Sequence, residues 1–391
     1  MRIDKEHALA LLSLCLACGD SAGTSAGLAT GGTDGASTST DPGDASGPSA
    51  TTGNDASTAG STAAPADPWE PVRAAIEASD IAAMAVIVGD AQGVRFVYEK
   101  GGFGVAEPHR IGSASKWYAA AAILELVEDG RLDLGDAPQT RLPFWTSDPG
   151  DPRSQVTLEQ LLSFTAGFDG KPNEVTCDAL PTATMLKCAE IYYDTRFSYD
   201  PGSTYYYGPV HMHIAATMAE LETGQTWNEL FSERVAGPAG MTQTIFDTPS
   251  LAVPRVAGGA TSTAEDYARF LAAVLRGDLT GETFAEQRKN RVGPGVAIAY
   301  SPLAALDWRY GLGVWRECPE PMYGPACEVD LKVSSTGAYG WHPWIDPALG
   351  YYGVLAMEEV GADLAEPVSL ASIELAGALK PLIEAALPGQ T

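Results

Sequence analysis

Arg110-Ile111-Gly112-Ser113-Ala114-Ser115-Lys116 is the stretch around which the chain is organised. A serine hydroxyl is a poor nucleophile at neutral pH and needs a base within hydrogen-bond reach. Ser-x-x-Lys supplies one if the segment is helical, because residues three apart share a helix face. The local sequence predicts that helix. Gly112 and Ser113 open the run, and Trp117 to Val127 continues it as an Ala/Leu-rich pattern. Asp129-Gly130 is a stop signal. Ser113 is then expected near the helix N-terminus, where backbone N–H groups favour developing negative charge. Ser-x-x-Lys alone is a frequent chance match, so its meaning depends on what surrounds it.

Working outward, the chain has 391 residues, 45% of them hydrophobic, enough for a substantial core. The net charge of −26, with no basic cluster, argues against nucleic acid or an anionic membrane surface as a partner. Residues 1–18 read as an export signal, with Ala8 to Ala17 a short apolar core. Ala17-Cys18-Gly19 resembles the lipobox of bacterial lipoproteins, which would make Cys18 a lipidated N-terminus and give a lipid anchor to a membrane. A cleaved secretory signal is the alternative. Residues 19–67 are Gly, Ser, Thr, Ala and Asp with almost nothing to bury, the composition of a disordered tether. The folded domain is expected over 68–391.

Within it, Pro68 to Ala78 has helical spacing. Ala82 to Val88 and Val94 to Lys100 read as two strands joined at Gly89–Gly93. Residues from about 132 to 259 read as mainly helical with long loops. Val368 to Leu387 is again helical, with Pro381 predicting a kink or break. Cys177 with Cys188 and Cys318 with Cys327 form two local pairs, expected as two disulfides in an exported domain. Cysteine spacing and scattered histidines do not fit a metal site.

The Ser113 stretch, then Ala119 to Leu134, Val156 to Phe168, Pro201 to Tyr207, Gly258 to Phe270 and Ser335-Thr336-Gly337 together resemble the serine β-lactamase and penicillin-binding-protein superfamily. Class C β-lactamases and the esterases sharing their fold are the nearest likeness. The resemblance covers nearly everything from about Pro68 onward. It implies an α/β (α+β) fold, an antiparallel sheet flanked by helices plus an all-α subdomain. It implies a catalytic Tyr six residues after Pro201, which is Tyr207, while Tyr205 takes the family's Phe position as a packing residue. It implies substrate-binding roles for Ser335, Thr336 and Gly337 on a strand beside the Ser113 helix. The Ala338 amide would pair with that of Ser113 as an oxyanion hole.

Two positions depart from the family. Pro209 stands where the family has Asn, and Ser335 stands where β-lactamases have Lys. Lys332 is three residues before Ser335 and therefore faces the other side of a strand. These departures favour an esterase or a hydrolase of small amides or peptides over a β-lactamase or D-Ala-D-Ala carboxypeptidase. A non-catalytic wall-binding or sensor domain is the alternative from another class. No metal or organic cofactor is called for. Trp341 and Trp344 could border an acyl pocket or pack under the sheet. His342 has no carboxylate partner legible in the sequence and reads as structural.

Overall fold

The structure, a computed structural model, describes residues 67–170, 177, 180, 182–246, 253–320, 322–329, 332–358 and 368–387. The expected export signal, Cys18 and the expected tether to residue 66 lie outside the described residues.

The chain enters through helix α1, Glu70–Ala78, and turns into the hairpin β1, Met84–Asp90, and β2, Gly93–Lys100. The strands run further into the expected loop than the sequence predicts, leaving only Ala91 and Gln92 between them. Short β3, His109–Arg110, leads to the Ser113 turn and helix α2, Ser115–Glu128. The all-α part follows, with α3, Met185–Thr195, and α4, Val210–Thr223, as its longest helices. Between these two helices lies β4, Thr204–Tyr206. After them come β5, Thr261–Ser262, and helix α5, Ala264–Arg276. β6, Ala297–Tyr300, pairs with β4.

The chain then completes the main sheet. It adds β7, Arg309–Tyr310; β8, Trp315–Arg316; β9, Val333–Ser334; β10, His342–Asp346; and β11, Tyr351–Ala356. The last helix, α6, runs Val368–Ala386 straight through Pro381, so the predicted break does not occur. The seven strands lie in the order β2-β1-β11-β10-β9-β8-β7, and every pairing is antiparallel.

Both faces of this sheet are covered, so β1 reads as an uninterrupted apolar run rather than an alternation. Met84, Val86 and Val88 share one cluster with α1 and α6 residues such as Val72, Leu379 and Ile383. Ala85 and Ile87 face the opposite way, into the larger cluster that contains α2, α4 and α5. Cys177–Cys188 and Cys318–Cys327 are both disulfides, the pairing of an oxidising compartment. No described helix is long and apolar enough to cross a membrane.

Candidate active site

The predicted helix does not begin at Gly112. Gly112–Ala114 form a 3-10 turn, and the α-helix starts at Ser115. Ser113 sits in this turn and Lys116 in the first turn of the α-helix, three residues on and on the same face. Lys116 Nζ lies 3.0 Å from Ser113 Oγ and donates to the Ala257 carbonyl at 2.7 Å. The Lys116 side chain is buried, on a helix whose first ten residues are all buried. The turn itself is tied down on every side. Ser115 Oγ donates to the Gly112 carbonyl at 2.6 Å and accepts from the Ala260 amide at 3.1 Å. The buried Tyr267 hydroxyl donates to the Ala114 carbonyl at 2.8 Å.

Two glycines let the opposite wall approach. Gly112 has φ of 54°, and a Cβ there would stand 2.9 Å from the Ala338 amide nitrogen. A Cβ on Gly337 would stand 2.0 Å from the Ile111 carbonyl oxygen, a contact no side chain tolerates. β9 ends at Ser334, so Ser335-Thr336-Gly337 continue the strand's path without belonging to it. The alternation of faces persists through them. Ser335 Oγ donates to the Ser113 carbonyl at 3.2 Å, on the nucleophile side. Thr336 Oγ1 turns the other way and meets His342 Nδ1 at 3.0 Å.

Tyr207 reaches the same place from the all-α part. Its ring centroid lies 4.6 Å from Lys116 Nζ, a cation–π distance. Stacking on Trp315 at 5.1 Å and an edge contact with Phe164 hold the ring. Tyr205 is buried against Phe164, Tyr310 and Trp315, as expected of a packing residue. Burial raises its phenol well above the ordinary range, with the neighbouring tyrosines adding to the effect. Pro209, in the family's Asn position, is the residue immediately before α4 and packs its ring near Gly170.

Lys332 is on the far face, with Nζ 2.8 Å from Asp346 and 3.2 Å from Glu384. The two tryptophans are fully buried. Trp344 joins the cluster under α6, and Trp341 lies near Tyr267. His342 needs correction. Glu317 Oε1 lies 3.2 Å from its Nε2, a partner 25 residues away that no local pattern announces. Sequence reasoning also missed the Ala257 carbonyl and the rim of the site. There Glu358 holds His109 at 2.8 Å and Arg110 at 2.9 Å, and the Arg110 guanidinium lies 4.6 Å over the Tyr339 ring. Tyr267 and Ala257 sit in or beside the Gly258–Phe270 block, which was the available signal. Among the described residues no cluster of His, Cys, Asp and Glu could hold a metal ion.

The sheet, its helices and the added α-helical part make the fold that of the β-lactamases and penicillin-binding proteins. Residues 71–371 match the family model described as Beta-lactamase, and the chain belongs to that family, whose members are serine hydrolases. A solved structure from Bacteroides dorei DSM 17855, provisionally called a β-lactamase, superposes with a TM-score of 0.67 at 27% identity, covering 80% of this chain and 98% of that one. EstCE1, described as a hydrolase with promiscuous acyltransferase activity, shares the fold. Its TM-score is 0.62 at 18% identity, over 78% of this chain and 95% of its own. A protein of Escherichia coli (strain K12), provisionally named a D-alanyl-D-alanine carboxypeptidase, is 26% identical over 144 residues. That match takes in 35% of this chain and 33% of the relative, so the chain spans about a third of the curated relatives it matches.

Proposed function

We propose that this protein is an exported serine hydrolase that cleaves an ester or small amide through an acyl-enzyme, with esterase-like substrates favoured. The single observation that carries the reading is the 3.0 Å approach of Lys116 Nζ to Ser113 Oγ, with the Tyr207 ring 4.6 Å from the same nitrogen. Ser113 Oγ attacks the carbonyl carbon while a neutral Lys116 amine takes the hydroxyl proton. Burial next to a hydroxyl and a carbonyl removes the water that would favour the charged amine. The tetrahedral oxyanion is held by the Ser113 and Ala338 amides. Tyr207 delivers a proton to the leaving alcohol or amine, the C–O or C–N bond breaks, and the acyl group stays on Ser113. Water then attacks the acyl-enzyme with the same groups in reverse, which releases the acid.

Ser335 and the engagement of Lys332 by Asp346 and Glu384 leave the family's ammonium anchor for a substrate carboxylate unfilled at position 335. That favours esters over β-lactams and D-Ala-D-Ala termini. The name carried by the E. coli relative is the observation on the other side, and it keeps a carboxypeptidase as the second reading. Residues 68–391 form the hydrolase domain in this proposal. Cys18, lipidated, tethers it through residues 19–67.

The test is labelling of the purified protein with a fluorophosphonate and a fluorescent penicillin, together with turnover of a short-chain nitrophenyl ester. The expected outcome is ester turnover and phosphonate labelling that vanish in Ser113→Ala, with no penicillin adduct. A penicillin adduct on Ser113 would replace the esterase reading by the second one. Equal silence of wild type and Ser113→Ala with every probe would favour a binding domain.

A further inference from the structure

A buried polar chain runs behind the site on the far face of the sheet. Lys380 of α6 pairs with Glu317, Glu317 Oε1 lies 3.2 Å from His342 Nε2, and His342 Nδ1 lies 3.0 Å from Thr336 Oγ1. All four side chains are at most 9% exposed. Buried ionic groups are costly, and apolar residues of the same shape generally replace them without loss of stability. His342 lies beside Trp308 and Trp344, and Lys380 over the Trp344 ring, so their burial calls for a reason.

The chain ends on Thr336, one residue from Gly337, whose backbone abuts the Ile111 carbonyl, and two from the Ala338 amide. We propose that Glu317 and His342 are positioning residues for acyl transfer, acting through the Thr336 hydroxyl to hold the Ser335–Ala338 segment against the Ser113 turn. This rests on the serine-hydrolase reading given above.

In either tautomer of His342 the Nδ1–Thr336 Oγ1 contact is a hydrogen bond, the hydroxyl donating to a bare Nδ1 or accepting from Nδ1–H. A threonine fixed at its hydroxyl has its backbone fixed as well. The segment gains a tether on its far side, where β9 has ended and ladder hydrogen bonds are reduced to Ser335 N–H to Pro343 and Gly337 N–H to Trp341. Lys380 completes the chain by balancing the carboxylate charge. It lies 3.4 Å from His342 Nε2 and over the Trp344 ring at 5.1 Å.

The experiment compares the full-length wild type with Thr336→Val, Thr336→Ser, His342→Leu, the Thr336→Val/His342→Leu double variant and Ser113→Ala. Turnover of a nitrophenyl ester, the melting temperature, and hydrogen exchange of the peptide covering 335–341 are measured for each. Thr336→Val is expected to lower kcat about tenfold with KM within about twofold, the signature of a misplaced catalytic group. Thr336→Ser should restore kcat. His342→Leu should match Thr336→Val, and the double variant should fall no further, because both cut one path. Exchange in 335–341 should quicken in Thr336→Val and not in Thr336→Ser.

If Thr336→Val keeps kcat and exchange at the wild-type level while Ser113→Ala is dead, the positioning role is overturned and the hydrolase reading stands. Full additivity in the double variant overturns it too, since the histidine would then act elsewhere. Ser113→Ala equal to wild type removes both. Should His342→Leu fail to fold, the Thr336 pair and the exchange measurement decide alone.

Discussion

Two buried lysines flank the same strand segment, and their settings are opposites. Lys116, 3% exposed, lies on the nucleophile side and meets a hydroxyl and a carbonyl oxygen. Lys380, 7% exposed, lies on the far side and meets a carboxylate. Burial lowers the Lys380 ammonium, and Glu317 opposes that. Burial also works to raise the Glu317 carboxyl, but Lys380 and His342 outweigh it and hold the group well below the usual carboxylate range. His342 is lowered by burial, against its contact with Glu317, and so stays neutral between them. Lys116, the proposed proton carrier, meets a hydroxyl and a carbonyl oxygen, and Lys380 meets an anion. Residue type is the same in the two places, and the partner decides the use.

Breaking the front lysine has the largest expected effect. Lys116→Met should lower kcat/KM for a nitrophenyl ester by about 10³-fold or more, with the melting temperature unchanged or raised. If Lys116→Met unfolds the protein instead, the front lysine is a structural ion and the contrast disappears.

The back lysine should behave the other way. Lys380→Met leaves the Glu317 carboxylate buried beside an imidazole, and a loss of about 3 kcal/mol in urea unfolding is expected. Most of it should return in Lys380→Met/Glu317→Gln, where no charge is left to bury. Full stability in the single variant would show that the far-side pair is not what holds that layer together.

Two further groups, both on α4, extend the comparison to pH. His211 is fully buried among Phe164 and Phe168, and desolvation brings its pKa to about 3. The unfolded imidazole binds its proton near pH 6.5, so stability is complete above that value and is lost as pH falls from there toward 3. The expected loss is on the order of 3 kcal/mol by pH 4, and His211→Phe should remove that portion of the acid sensitivity. Chemical unfolding at a series of pH values checks it, and equal slopes in the two proteins would contradict it.

Glu220 gives the smallest effect and the opposite sign. Burial raises its carboxyl to about 7, against the hydrogen bond it accepts from the Trp227 amide. The folded state holds the proton more tightly, so stability is complete below about pH 4.5 and falls as pH rises to about 7. Partial exposure discounts the effect, and Glu220→Gln should gain about 1 kcal/mol at pH 8 with no gain at pH 4.

Much of the fold and part of the site were legible in the sequence because they rest on local spacing. Ser113 and Lys116 meet because they are three apart on a tight turn. α1, the β1–β2 hairpin and the pairs Cys177–Cys188 and Cys318–Cys327 close over short separations. The break expected at Pro381 does not occur because packing holds both sides of it, with Ala376 and Leu379 before and Ile383 after buried in the cluster beneath the sheet. The end of β9 before Ser335 was equally out of reach. Which residues of an extended run form ladder bonds is set by the neighbouring strand, here β10.

What the sequence by itself determined is the family, the sheet-and-helix architecture and the Ser113–Lys116 contact, since hydrophobic periodicity, turn residues and short motifs all act over a few residues. Only the tertiary structure decided the partners of each charge. The Ala257 carbonyl comes to Lys116 from 141 residues away. Glu317, His342 and Lys380 meet from three separate segments, and Lys332 is taken up by Asp346 and Glu384. The strength of a charge pair depends on distance and on the water excluded around it, and both are fixed only when distant segments pack.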